Sequence, residues 1–274
     1  MDWLKNKTVL VTDGDSWTAG DLMDPKLAKE GVTFINDPRN DYYRLTKVWP
    51  HKLGESLDLD VENIAVAGSS NDGILRRTMN RVPKLLETYS RNDILYIIGF
   101  SSPERKDFYC EGGWDTLYPV EIKNWNEAVT DQEKFAALYA RYYWTPQEYV
   151  TRYLTTVMSL DSYLTNLGID HIFFNAFYEN EFGIHNKKTL KNFIDNFINS
   201  RSDTRLEYLE LDTLVNQYKQ IYTHNFLKKS FLGFLKEKYK GKIFTEALDN
   251  HHPNENAHKL WSQYLKKALN NPNL

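Results

Sequence analysis

Thr8-Val9-Leu10-Val11-Thr12-Asp13-Gly14-Asp15-Ser16-Trp17 is an apolar run that stops at a glycine set between two aspartates and followed by a serine. The run reads as a buried strand over Thr8 to Thr12. A helix-like stretch from about Gly20 to Glu30 follows, which places Ser16 on a strand-to-helix turn. Open α/β sheets present reactive groups at such turns, outside the carboxyl ends of their strands. Three further runs repeat the pattern: Glu62 to Ala67, Asp93 to Ile98 and His171 to Phe174. Helical segments lie between them, and the alternation predicts an α/β fold with a parallel sheet. Asn71 to Tyr89 carries Ile74, Met79, Val82, Leu85 and Leu86 as a crossover helix that Pro83 can kink. In Thr145 to Leu167, Thr145 can cap, Pro146 occupies the first turn and Gly168 stops the helix. A terminal helix is expected over Asn254 to Leu269, where Leu260, Trp261, Tyr264, Leu265 and Ala268 recur at helical spacing.

The 274 residues are 41% hydrophobic, enough to bury the core of a single large α/β domain spanning 1–274. Two stretches exceed what a minimal sheet and its helices require, around 101–144 and 175–239. Both are candidate lids or substrate-recognition insertions. Surface helices that merely cover the sheet account equally well for the second. The first holds many Trp and Tyr residues between Trp114 and Trp144, either as packing or as a stacking platform for sugar rings. A formal net charge of −3 gives no general attraction for nucleic acid or an anionic membrane. Cys110 is the only cysteine, so no intramolecular disulfide forms. Met1-Asp2-Trp3-Leu4-Lys5 shows no apolar signal segment and no apolar run reaches membrane length, so a soluble cytoplasmic protein is expected. Oligomeric state is not legible.

A serine hydroxyl is a poor nucleophile at neutral pH and needs a base that titrates near it, which points to histidine. Asp249-Asn250-His251-His252-Pro253, just before the terminal helix, supplies one. His252 is the expected base and Asp249, three residues earlier, the carboxylate that accepts from its other ring nitrogen. Backbone N–H groups of Ser16 and Gly68 can point at a developing oxyanion, with Gly68 a glycine because a side chain would obstruct the carbonyl. Each residue also has a purely structural role open to it. Ser16 can cap a helix, Ser69 to Asn71 can cap the next, and Asp15 can tie the turn to backbone N–H groups. His251 is expected to face solvent, and His258 to pack on the terminal helix.

Together these residues resemble the SGNH, or GDSL-type, hydrolases. Gly14-Asp15-Ser16 resembles the first block of that family. Trp49-Pro50, Leu53-Gly54, Asn63, Ala65 and Gly68-Ser69-Ser70-Asn71 resemble its second block and the approach to it. Asp249-x-x-His252-Pro253-Asn254, followed by His258, resembles the last. The resemblance implies a three-layer α/β/α fold, flavodoxin-like, with a central parallel sheet and no cofactor. It implies hydrolysis or transfer of an acyl group through an acyl-enzyme at Ser16, with Asp249 and His252 completing the triad. Small-molecule or carbohydrate esters are the implied substrates, carbohydrate O-acetyl esters foremost. The family's third block reads Gly-x-Asn-Asp, with the Asn donating to the oxyanion. Here the stretch is Ile97-Ile98-Gly99-Phe100-Ser101-Ser102, and Ser101 stands where Asn belongs. The expected oxyanion donors are therefore Ser16 and Gly68 together with Ser101 or Asn71, while Arg105 can donate or, with Asp15, contact substrate. Because one such donor is worth about 2.7 to 4 kcal/mol in the barrier, the departure also supports a non-catalytic carbohydrate-binding or assembly protein on the same fold.

Two rival readings use the same residues. Val9 to Ser16 also looks like the opening Asp-x-Asp of haloacid-dehalogenase-type phosphatases, with Asp13 as nucleophile, Asp15 as acid/base and magnesium as charge clamp. The late acidic pair such an enzyme needs is not found, and the His252 string is left without a task. A metal site built from Asp249, His251, His252 and His258 is conceivable by residue type, although adjacent histidines rarely point the same way.

Overall fold

The structure, a computed structural model, describes residues 4–32, 37–117, 127–177, 216–217, 225–227, 229–240, 242–249 and 251–270. Its central sheet holds β1 (Val9–Asp13), β2 (Asp60–Asn63), β3 (Ile94–Phe100) and β6 (Asp170–Asn175). They run in the order β2-β1-β3-β6, and every pairing is parallel. Residues 225–227 lie beyond β6, with Phe173 N donating to Asn225 O at 2.7 Å and Leu227 N to Phe173 O at 2.8 Å. Two antiparallel hairpins complete the strands: β4 (Lys106–Cys110) with β5 (Gly113–Leu117), and β7 (Leu248–Asp249) with β8 (His252–Pro253).

Parallel strands are covered on both faces, so alternate residues of one strand belong to two different cores. Val9 and Val11 of β1 join Ile94, Tyr96, Ile98 and Phe100 of β3 on one face. Helices α5 (Asn71–Leu86) and α7 (Pro146–Leu167) pack there through Ile74, Val82 and Leu85, and through Val150, Leu154, Val157 and Leu160. Leu10, Leu95, Ile97 and Phe174 face the other way. They meet α4 (Trp49–Leu57), α8 (Phe231–Tyr239) and α10 (Glu255–Asn270), with α9 (Ile243–Glu246) at the margin. The result is the expected three-layer α/β/α sandwich. Because all four strands are parallel, their carboxyl ends share one edge, where the chain leaves β1 toward Ser16 and β3 toward Ser101.

Several boundaries depart from the expectations. Glu62 to Ala67 was expected as a strand, but β2 ends at Asn63. The Asn63 side chain there accepts from Thr12 Oγ1 (3.1 Å) and donates to Thr18 O (2.8 Å), turning the chain across the first loop. In place of a helix from Gly20 to Glu30, a four-residue helix α1 (Ser16–Ala19) ends at Gly20. Gly20 has φ +85°, and its N–H bonds Ser16 O. A second short helix, α2 (Pro25–Lys29), is capped by Asp24. Met79 and Leu86 of α5 are more than a third exposed. The buried face runs instead through Ile74, Thr78, Val82 and Leu85, and Pro83 leaves the helix continuous to Leu86. Helix α7 starts and stops as its sequence signals: Thr145 Oγ1 accepts from Glu148 N, Pro146 is the first residue, and Gly168 takes φ +69°.

The described part of 101–144, expected as an insertion, holds the β4–β5 hairpin and a helix α6 (Asp131–Tyr142). Phe108 of β4 packs edge-on against Phe135 and Tyr139 of α6, at centroid distances of 5.0 and 5.3 Å. Most of 175–239, the other expected insertion, lies outside the described residues. Its end forms α8, whose Phe231 stacks on Trp261 of α10 at 4.8 Å.

Helix α10 is set against α4 and against α3 (Asp41–Lys47), and this docking fixes where the segment before it ends. Glu255, in its first turn, pairs with Lys47 (3.3 Å) and Lys52 (3.4 Å). One turn on, His258 is buried and accepts from Trp49 N through Nδ1 at 3.3 Å. Burial lowers its pKa to about 3, helped by the nearby Lys52 and His252. An unfolded chain would take up a proton near pH 6.5 where the folded one does not, so this histidine costs stability as pH falls below that value. In urea unfolding from pH 7 to 4, His258→Gln should gain on the intact chain by up to about 1.4 kcal/mol per pH unit. A constant difference between the two across that range would contradict the assignment.

Candidate active site

The turn from β1 into α1 is held by two aspartates, both fully buried. Asp13 accepts from Gly14 N (2.7 Å), from Thr78 Oγ1 (3.2 Å) and from the Arg77 guanidinium, at 3.1 Å for Nε and 2.6 Å for Nη2. Arg77 also reaches Gly14 O and Ser69 Oγ, so one side chain of α5 ties the first loop to the loop after β2. Burial pushes the Asp13 carboxyl up to about 6, against the opposing pull of Arg77 and its other donors. Asp15 caps α1, accepting from Trp17 N at 3.0 Å. Its second oxygen accepts from Ser101 Oγ (2.9 Å) and Arg105 Nη1 (3.2 Å). Burial raises its pKa too, opposed first by Arg105.

These partners decide several expectations. The Asp13/Asp15 phosphatase reading needs two carboxylates open to a substrate, and both are consumed by internal donors. Asp15 is likewise closed to substrate, contrary to its expected contact, because the helix cap and Arg105 occupy it. Arg105 does stand beside the turn: besides Asp15 it donates to Ser101 Oγ (2.8 Å) and Ser69 O (3.3 Å), and it lies over the Phe177 ring.

Ser16 opens α1 at its N-terminus, with its side chain directed at His252. His252 Nε2 lies 3.0 Å from Ser16 Oγ across 236 residues of sequence. The β7–β8 hairpin makes this meeting possible. His251 takes φ +69° in its turn and is exposed, as expected. Asn254 fastens the hairpin to the helices around it. Its N donates to Ala247 O and its Nδ2 to Glu246 O, while its Oδ1 accepts from Ala257 N. Asp249 stands opposite His252 in the backbone register of that hairpin, while its side chain lies outside what is described. The metal reading is not favoured by this arrangement: His251 is exposed, and His258 Nδ1 is taken by Trp49 N. Among the described residues no three potential ligands converge.

The expected oxyanion donors separate into two groups. Ser16 N–H makes no hydrogen bond among the described residues, and it sits at the amino end of α1. Gly68 occupies a turn with φ +78°, a conformation that glycine adopts without steric cost. Asn71 and Ser101 form the other group and bond to each other. Ser101 N donates to Asn71 Oδ1 (2.8 Å) and Asn71 Nδ2 to Ser101 O (3.1 Å). With Ser101 Oγ donating to Asp15, no hydroxyl proton is left there for an oxyanion.

A further carboxylate, unmarked in the sequence reading, belongs to this site. Asp21, immediately after the Gly20 stop, places Oδ2 3.3 Å from His252 Nε2. Its only sequence signal is its place directly after Gly20, the stop of α1, a boundary that the expected Gly20 to Glu30 helix concealed.

The fold is thus a parallel sheet in three layers with a serine–histidine contact at its carboxyl edge. The chain belongs to the family of unknown function DUF6071, whose model matches residues 32–202, more than half of its length. That stretch contains Gly68, Asn71, Ser101 and Arg105 and lies between Ser16 and His252. No curated protein matches by sequence. Solved structures similar to this one include a member of the lipolytic G-D-S-L family from Veillonella parvula. It shows 12% identity and a TM-score of 0.48, over 96% of this chain and 97% of that one. The psychrotrophic esterase EstA from Pseudoalteromonas sp. is 15% identical with a TM-score of 0.44, over 97% and 100%. An acetyl xylan esterase, AlAXEase, is 12% identical with a TM-score of 0.43, over 95% and 98%. No helix among the described residues is long and apolar enough to cross a membrane.

Removing one partner of a buried ion pair leaves a charge without compensation. Arg77→Met should therefore cost roughly 3 kcal/mol of unfolding free energy at pH 8. The loss should shrink toward pH 5, where Asp13 takes a proton and no longer needs the guanidinium. Equal losses at both pH values in denaturant titrations would show that Arg77 acts by packing alone.

Proposed function

We propose that this protein is a serine ester hydrolase of the SGNH type that forms its acyl-enzyme on Ser16. One observation carries the reading: the 3.0 Å contact between Ser16 Oγ and His252 Nε2. Two residues so far apart in sequence meet at the sheet edge where α/β folds present reactive groups, within the reach that a nucleophile and its base require.

In this reading neutral His252, with its proton on Nδ1, accepts the Ser16 proton on Nε2 as Oγ bonds to the ester carbonyl carbon. Asp249, opposite His252, accepts from Nδ1–H and fixes the tautomer. The carbonyl oxygen becomes an oxyanion facing Ser16 N–H and Gly68 N–H, with the α1 amino end adding its partial positive charge. Collapse breaks the bond to the alcohol, which leaves with the proton from Nε2. Water then repeats the sequence: His252 takes its proton, its oxygen attacks the acyl carbon, and Ser16 Oγ departs reprotonated. A sugar hydroxyl in place of that water would give acyl transfer.

Acetyl esters of carbohydrates are the proposed substrates, with the β4–β5 hairpin as the recognition element. Tyr109 and Trp114 stand there 73% and 56% exposed, edge to face at 5.4 Å. Aromatic faces of this kind stack on sugar rings. A second reading, a carbohydrate-binding protein without turnover, draws support from Ser101, whose hydroxyl donates to Asp15 where the family pattern has an asparagine free to donate to an oxyanion.

On p-nitrophenyl acetate, Ser16→Ala and His252→Ala should each lose at least about 10³-fold in kcat. A fluorophosphonate should label Ser16 in the intact chain only. Equal rates in all three proteins and no label at Ser16 would overturn the hydrolase reading in favour of the binding protein.

A further inference from the structure

His252 Nε2 faces two oxygens, and they make incompatible demands on it. Ser16 Oγ, at 3.0 Å, is useful only when Nε2 is an unprotonated acceptor. The Asp21 carboxylate, at 3.3 Å, is content only when Nε2 carries a proton, because otherwise a lone pair opposes a lone pair. Both side chains are largely shielded from water, at 16% exposure for Asp21 and 29% for His252, so their interaction is only partly screened.

We propose that Asp21 is a positioning residue that acts through His252: it favours the Nε2-protonated imidazolium over the neutral base and so sets the lower pH limit of activity. This inference rests on the Ser16–His252 reading. The Asp249 position could not serve the same end. A carboxylate on Nδ1 favours the neutral Nδ1–H tautomer, whose Nε2 can accept from Ser16, whereas one on Nε2 favours only the forms that carry a proton there and cannot.

The charges around the pair come from several elements. Arg44 of α3 lies near enough to Asp21 to oppose the effect of its burial, and it also pairs with Asp41. Asp15, from the β1–α1 turn, is within electrostatic range of His252. His258 of α10 is as well, held neutral by burial. Asp249 lies opposite on β7. Asp15 is committed to Arg105, and Arg44 is shared with Asp41. Asp21 is thus the carboxylate in direct contact with Nε2 among the described residues.

Two consequences follow for turnover. Relative to an uncharged side chain at position 21, the Asp21 carboxylate 3.3 Å from Nε2 moves the acid limb of the rate profile upward. The same stabilisation makes His252 a stronger base once deprotonated, which raises the plateau. Replacing Asp21 by an uncharged residue should reverse both.

The test is the His252 imidazole titration, followed by proton–carbon NMR of the histidine Hε1 signals and assigned with His252→Asn. Beside it runs the pH profile of kcat/KM on p-nitrophenyl acetate. In Asp21→Asn the His252 midpoint should fall by about one pH unit. The acid limb should fall with it, while the plateau drops about threefold. Asp21→Glu should restore both in part, and Asp21→Ser should repeat the downward shift if asparagine introduces a hydrogen bond of its own. A His252 midpoint that is unchanged or higher in both Asp21→Asn and Asp21→Ser overturns the inference. The NMR arm needs no turnover. A chain inactive on every ester but showing the shift would sink the hydrolase reading and leave the Asp21–His252 coupling standing.

Discussion

The β1–α1 turn is built around two carboxylates that have no access to water, and the rest of the site is arranged by what those carboxylates require. A buried charge is tolerable only when donors surround it. Asp13 draws Arg77 across from α5 and with it Ser69 of the following loop. Asp15 draws Ser101 and Arg105 from the end of β3. Three loops that emerge from different strands are thereby locked to one another at the carboxyl edge of the sheet. Ser16, one residue beyond Asp15, inherits that rigidity, which the proposed role requires of a nucleophile before any base can be matched to it.

His252 comes from the opposite end of the chain and is fixed by a separate device. Helix α10 lays Trp261 and Leu265 into the core shared with α4 and α8. Glu255 and His258 then set its first turn against Lys47, Lys52 and Trp49. With that turn fixed, the two-residue strands β7 and β8 leave His252 little freedom. The 3.0 Å contact is thus where two independently supported structures meet. A residue buried in either one, far from any reacting atom, can alter the distance.

Much of this was legible beforehand. Continuous apolar runs gave the parallel strands because strands covered on both faces need no polar alternation. Thr145, Pro146 and Gly168 marked α7 because caps are local chemistry, decided within a turn of chain. The meeting of Ser16 and His252 was legible from residue type and from their places beside a strand end and a helix start. What escaped notice was tertiary in origin. The Gly20 to Glu30 helix fails because Gly20 takes a left-handed conformation and the next capped turn starts only at Asp24. Met79 counts among the apolar residues that mark the crossover helix, whereas the buried position beside it goes to Thr78, which Asp13 needs as a donor. Asp21 gave almost no signal, since an acidic residue in a loop is ordinarily solvated and the expected helix hid the boundary it follows.

Ser101 shows how a departure from a family pattern can be read from its surroundings. An asparagine at that position would reach farther into the site, but its amide would have to replace a hydroxyl that both donates to Asp15 and accepts from Arg105. A hydroxyl does both with a single oxygen, and an amide group has to divide the roles between two atoms set apart by its plane. The Asp15–Ser101–Arg105 network and a side-chain oxyanion donor at residue 101 are therefore alternatives, and this chain has the network. On the proposed reading, stabilisation of the oxyanion falls to backbone N–H groups at Ser16 and Gly68. These donors depend on the conformation of their loops instead of on a rotamer, which returns the chemistry to the two buried carboxylates that hold those loops in place.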